Sequence, residues 1–193
     1  MVTSVGVEVL DGGGLPALSR GGHQEHDHDH RVCVMELTAL LAGEPHGDRP
    51  AGTHPVLAAV ARVVNDAVGA DALPQLAALS PRLVGTADRS AHRTADLVLE
   101  LCSRTLLAAP PVWRPRLLRA QREARRDLRR PDHVLTSRAL VRAERCATCA
   151  AATVALTGAS DSETIGVLRR LLDVCEQAGA GPPVFGAGRR SLA

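Results

Sequence analysis

The sequence predicts an all-α protein: a single-domain bundle of about six or seven helices, between a flexible N-terminal arm and a C-terminal tail. Three observations carry this. The chain has 193 residues, enough for one sizeable core. Aromatic residues make up only 1% of it, as Trp113 and Phe185 with no tyrosine. The core must therefore be built from Leu, Val and Ala, which favours packed helices over a β-sandwich. Apolar residues also recur at helical spacing between Pro and Gly punctuation. The arm is expected over 1–28, the helical domain over 29–178 and the tail over 179–193.

Taken in order, residues 1–22 hold Val5, Val7 and Val9 in alternation and then runs of glycine, as in a flexible arm or one edge strand. Residues 23–30 are an acidic-histidine tract. A first helix is expected over 29–42, with Asp29 as N-cap and Gly43 just past its end. Cys33, Leu37, Leu40 and Leu41 form its apolar stripe. Residues 44–55 are a loop rich in Pro and Gly. Pro55 opens a second helix, where Val56, Leu57, Val60, Val63, Val64 and Val68 repeat at helical spacing before Gly69.

A short helix over 72–79 and a turn over 80–86 come next. A long helix over 90–108 turns Ala95, Val98, Leu99, Cys102 and Leu106 inward. Pro110, Pro111 and Pro115 break that pattern, and an arginine-rich helix follows over 115–129. Pro131 restarts a helix that runs to Leu156 and stops at Gly158. Ser160 and Glu163 have capping-box spacing and open a last helix through 177. Ile165, Leu168, Leu172 and Cys175 are its inward positions, and 179–193 read as a disordered tail.

All 23 basic side chains are arginine, and the formal net charge is +2. The absence of lysine, with abundant Ala, Gly, Pro and Val, points to a GC-rich genome. A net charge this small does not by itself indicate a polyanion partner. The scarcity of aromatics leaves almost no stacking platform for bases, so nucleic acid is disfavoured. The start of the chain shows no secretion signal, and no stretch approaches the ~20 apolar residues of a membrane span. Five scattered cysteines then suit a soluble cytoplasmic protein with reduced thiols.

Candidate chemistry concentrates between His23 and His54, which hold six of the eight histidines. His26, His30, Cys33 and Glu36 are spaced four, three and three apart, so they project from one face if the first helix extends that far back. Imidazole, thiolate and carboxylate at that spacing suit a transition metal, zinc first and iron or copper as alternatives. His46, Asp48 and His54 in the following loop could close the site. The same tract also reads as a mobile metal-scavenging arm or a plain solvated segment. Glu36 stands on a helix whose neighbours face the core, so it must be paired, ligating or functional. An arginine such as Arg49 or Arg62 could neutralise it.

Two further motifs stand out. Cys146 and Cys149 form a CxxC, but well inside a predicted helix, where the thiols share a face through ordinary packing. A metal or redox role would need Cys102 or Cys175 nearby. The stretch from Arg114 to Arg130 carries eight arginines against Glu123 and Asp127, a local charge of +6. Such a helix can dock an acidic partner or nucleic acid, or simply be a solvated helix with pairs such as Arg119–Glu123. No phosphate loop, GxSxG or nucleotide fingerprint is found.

The stretch from Cys33 to Thr86 resembles an uncharacterised small-protein family of high-GC Gram-positive bacteria. The resemblance rests on Cys33, Met35 and Glu36; on Ala42, Gly43 and Glu44; on Asp48 and Pro50; on Pro55, Val56 and Leu57; on Asn65 and Asp66; and on 83–86, Leu-Val-Gly-Thr. It implies a helical architecture and candidate positions, not a reaction. This chain departs from the family pattern with His46 where relatives have Trp and with Gly52 where they have Cys.

Two functional readings result. One is a metal-binding helical protein, as a small metalloenzyme of specialised metabolism acting on a small-molecule substrate. Cys33, Glu36, His46, Asp48 and His54 would line its site, with His26 or His30 contributing and Glu36 as catalytic base. The other is a non-catalytic interaction or regulatory module, as a monomer or homodimer. Its helix over 114–130 would dock an acidic protein partner or nucleic acid.

Overall fold

Poverty in aromatics forces helices close together, and the fold follows from that. A computed structural model of the chain describes residues 16–21 and 31–179. Among them are eight α-helices: α1 (Val34–Leu41), α2 (Pro55–Ala67), α3 (Leu73–Ala77), α4 (Ser80–Leu83), α5 (Ala91–Thr105), α6 (Arg114–Asp127), α7 (Ser137–Leu156) and α8 (Asp161–Gly179). The described residues hold no sheet, only isolated bridges between Leu18 and Val32 and between Ser90 and Val134. The protein is an all-α single domain.

The core centres on α2. Val56 to Ala61 are all buried, so the first half of this helix is covered on every side. It packs most extensively against α7, then α8 and α1. The alanines of α2 face the small run Cys146, Ala147, Ala150 and Ala151 of α7, which lets the two backbones approach closely. α8 lies across α2 and α5 through Ile165, Leu168, Leu171 and Leu172. α6 leans on α5 more than on α7, so it stands at the edge of the bundle.

Several elements begin or end elsewhere than the sequence predicts. α1 starts at Val34, because Cys33 is its N-cap; the expected cap, Asp29, lies outside the described residues. The stretch 72–86 contains α3 and α4 rather than one helix and a turn. Residues 131–136 do not continue the helix that Pro131 was expected to restart. The His133 carbonyl accepts from the Ala91 amide at 2.8 Å and the Leu135 amide donates to the Arg89 carbonyl at 3.0 Å, so this segment is held extended. Thr136 then caps α7 with its hydroxyl on the Ala139 amide. Gly158, at φ +76°, turns the chain after α7 in a conformation that favours glycine.

Residues 16–21 fall within the expected arm, yet they are tied to the bundle. The Arg20 guanidinium donates twice to the Val68 carbonyl, at 3.0 and 2.6 Å. The Gly21 amide donates to Asp66 at 3.0 Å. The rest of the arm, including Val5, Val7, Val9 and the histidine tract, and the tail beyond α8 lie outside the described residues.

Asn65 organises this corner. It is 1% exposed, accepts from the Val34 amide at 3.1 Å and donates to the Ser19 carbonyl at 2.9 Å. One side chain thus joins α2, the start of α1 and the 16–21 segment. Asn65→Ala strands the buried Val34 N–H and should cost roughly 1–3 kcal/mol. Urea denaturation measures this, and a loss below roughly 0.5 kcal/mol would contradict the role assigned.

Candidate functional site

The start of α1 brings together three of the predicted ligands. The Cys33 amide donates to Glu36 Oε2 at 2.6 Å, and the Glu36 amide donates to Cys33 Sγ at 3.4 Å. This reciprocal pair is a capping box with a thiol in the usual hydroxyl position. Glu36 Oε1 lies 3.6 Å from His46 Nε2, and Glu36 is only 3% exposed. Its burial is thus answered by a backbone amide and an imidazole. The expected arginine partners go elsewhere: Arg62 and Arg49 reach Glu144 of α7, at 2.7 and 3.5 Å. Burial pushes the Cys33 thiol up to about 11, and the Glu36 charge adds to this. A thiolate ligand here would have to be deprotonated against that resistance.

The loop after α1 does not bring Asp48 and His54 into this group. Asp48 has an exposed side chain, and its carbonyl accepts from Arg62 at 3.0 Å. The loop is closed instead by Glu44, whose carboxylate accepts from the Ala51 and Gly52 amides. His54 is fully buried as the N-cap of α2. Its Nδ1 accepts from the Val56 amide at 3.2 Å, so the hydrogen sits on Nε2, 3.2 Å from Thr94 Oγ1. Thr94 passes the chain on, donating to the Ser90 carbonyl at 2.9 Å. Both ring nitrogens are occupied, and neither offers a lone pair to a metal. His26 and His30 lie outside the described residues. Among the described residues, no three His, Cys, Asp or Glu side chains are grouped so as to hold a metal ion.

The CxxC has the company that the sequence could not place. Cys102 of α5 meets Cys146, whose thiol hydrogen-bonds to it; this bond and burial push Cys146 up, while Cys102 is lowered. Cys102 Sγ in turn donates to the Leu117 carbonyl at 3.6 Å, and Arg116 donates to Cys149 Sγ at 3.2 Å. These buried contacts join α5, α6 and α7 at one level of the bundle.

Beside that level the three helices part and leave a cleft of about 590 Å³. Ala91, Thr94, Ala95 and Val98 of α5 form its floor. Ala120 and Ala124 of α6 and Ala139 and Ala143 of α7 form the lower walls. The extended segment 133–136 closes one end. Six arginines line the walls and mouth: Arg116, Arg119, Arg126, Arg130, Arg142 and Arg145. Two carboxylates, Glu123 and Asp127, oppose them. Glu123 is engaged by Arg119 at 3.0 Å and by Arg142 at 3.8 Å. Among the described residues no carboxylate comes within ion-pair distance of Arg126, Arg130 or Arg145.

The arginine cluster of α6 was visible in the sequence. The contribution of α7 was not singled out, although Arg138, Arg142 and Arg145 are spaced four and three apart and so share one helix face. Comparison with the sequence profiles of known families, with curated proteins and with solved structures returns no match.

The buried His54 has a measurable consequence. Burial lowers it to about 4, whereas an unfolded imidazole titrates near 6.5. Between those values the unfolded state binds more protons. Stability present above about pH 6.5 is therefore lost as pH falls toward about 4, by an amount on the order of 3 kcal/mol. His54→Asn keeps a capping acceptor and removes the titration. Urea unfolding at about pH 7 and pH 4.5 should show a clearly smaller pH dependence in this variant; equal dependence would refute the assignment.

Proposed function

We propose that the protein is a non-catalytic interaction module that docks an acidic protein partner on the arginine face of α6 and α7. One observation supports this above the others: six arginines line a single cleft against two carboxylates, and among the described residues only two of the six, Arg119 and Arg142, have a carboxylate within ion-pair distance. An interface of this kind gains encounter rate and specificity from its single-sign field. Nucleic acid is the weaker reading of the same charge, because among the described residues no Phe, Tyr or Trp side chain lines the cleft for bases to stack on and His133 is the one aromatic ring there.

A polyglutamate peptide should bind the protein in a fluorescence anisotropy titration, and added salt should weaken it. Replacing Arg126, Arg130 and Arg145 together by Ala removes three rim charges worth roughly 0.5 kcal/mol each, so affinity should fall about tenfold. No binding at low salt, or equal binding by the triple variant, would sink the reading. Tighter binding of duplex DNA than of polyglutamate would favour a nucleic-acid partner instead.

A second reading is metal binding at the start of α1, supported by the approach of the Glu36 carboxylate to His46 at 3.6 Å beside the Cys33 thiol. Zinc is the expected ion, given this mixed donor set, and Glu36 would be the base if the site were catalytic. Elemental analysis of tag-free protein tests it. A near-stoichiometric metal that disappears in Glu36→Gln is the expected result, and less than about a tenth of an equivalent per chain overturns it.

A further inference from the structure

The shape and lining of the cleft say more about its occupant than charge alone. Its lower surface carries alanines four apart on each of three helices: Ala91 and Ala95, Ala120 and Ala124, Ala139 and Ala143. Spacing of four keeps each pair on one helix face. An alanine floor is apolar and low, so an incoming backbone can lie close above it. Arg126, Arg130 and Arg145, all exposed, line the same cleft.

The surface also continues past the cleft. A second depression of about 550 Å³ runs over α7 between Arg138, Val141, Arg142 and Arg145, and it shares Arg119, Arg142 and Arg145 with the first. Val141 is 43% exposed there, and Val134 at the closed end is 76% exposed. An elongated occupant covers both depressions; a compact small molecule covers one.

The backbone around the cleft decides the conformation of such an occupant. Its walls are helices, whose amides and carbonyls are used internally. The extended segment at the cleft, 133–135, pairs with 89–91 along one edge. Three residues are too short an edge for effective β-augmentation, and among the described residues no Phe, Tyr or Trp side chain lines a groove for a polyproline segment. Among the common modes of peptide recognition, a helix laid in the groove is the one that uses an apolar floor together with flanking charges.

We propose that the α5–α6–α7 cleft receives an amphipathic acidic α-helix of a protein partner. The apolar stripe of that helix lies on the alanine floor, and its Asp and Glu side chains flank the stripe and meet Arg126, Arg130 and Arg145. This rests on the acidic-partner reading and adds the form of the ligand to it.

The test uses two peptides of identical Leu, Glu and Ala composition and the full-length protein. In one, Leu recurs at i, i+3, i+4 and i+7; in the other, the order is scrambled. The patterned peptide should bind at least about tenfold tighter than the scrambled one and gain helical circular dichroism on binding. Ala120→Leu and Ala143→Leu raise the floor and should remove that advantage, lowering affinity for the patterned peptide more than for polyglutamate. Thermal unfolding verifies that these variants are folded, and Ala139→Met serves as a milder filling of the same floor. Equal affinity for the two peptides, or an advantage that survives all three fillings, overturns the helix proposal and leaves the acidic-partner reading standing. Failure of both peptides and of polyglutamate overturns both. Preference for duplex RNA over the patterned peptide also overturns the helix proposal.

Discussion

A core almost without aromatic side chains can be closed only by bringing helix backbones close together. In this protein the burden falls on α2, whose first half is buried on every face and whose alanines meet the alanines and cysteines of α7. Small residues give up area per side chain but allow short interaxial distances, so dispersion contacts between backbones replace those of large rings. The same choice has a second effect further along α7. Near the start of α7 the residues Ala139 and Ala143 line the cleft, facing Ala91 and Ala95 of α5 and Ala120 and Ala124 of α6, and α6 leans on α5 more than on α7. Small side chains thus line much of the gap. The cleft is thus a consequence of how the core is built.

Polar groups drawn into such a core must be satisfied locally. Thr38, Thr105 and Thr153 each donate to the carbonyl four residues back, so their hydroxyls need no distant partner. His54 and Asn65 do more, since each ties one element to another. The neutral imidazole of His54 links the start of α2 to α5 through Thr94, which also lines the cleft floor. Asn65 links α2 to α1. Glu36 belongs to the same group, because its carboxylate reaches the Cys33 amide and His46. His54 and Glu36, which look like a ligand and a catalyst by residue type, are thereby engaged in capping and bridging.

The sequence made the fold class and most helices legible because long apolar periodicities report burial directly. α2, α5 and α8 begin within a residue or two of their expected positions for that reason. What remained hidden depends on tertiary pairing. Residues 131–136 have helical flanks and a proline that suits a helix start, yet their backbone groups bond to 89–91, a partner 40 residues away in the chain. Cys33 is a rare cap, so Asp29 was the natural choice by residue preference. The metal expectation at His54 failed at the same level. Spacing can put a histidine near a carboxylate, but it cannot tell which hydrogen bonds its two nitrogens will make. The α6 half of the cleft was readable as a charge run, whereas the α7 half required knowing that the two helices face each other.

A genome rich in GC would explain why arginine stands in place of lysine throughout, but not where the arginines sit. Away from the cleft lining, Arg82 is matched by Asp173 at 2.7 Å and Glu176 at 2.8 Å, which ties α4 to α8. At the cleft, Arg126, Arg130 and Arg145 have no carboxylate within ion-pair distance among the described residues and Arg116 meets a thiol instead, while Glu123 is shared between Arg119 of α6 and Arg142 of α7. Glu123 thereby sets the spacing of the two walls. Arg116, at the lower edge, is anchored to Cys149 and so to the buried thiols of α5 and α7. Some arginines of the cleft are therefore structural, and others remain available at the mouth. Like charges held this close repel, and a net charge of +2 on the whole chain does nothing to relieve them locally. Carboxylates supplied from outside the chain would relieve them, by answering the guanidinium groups that the fold itself leaves unmatched.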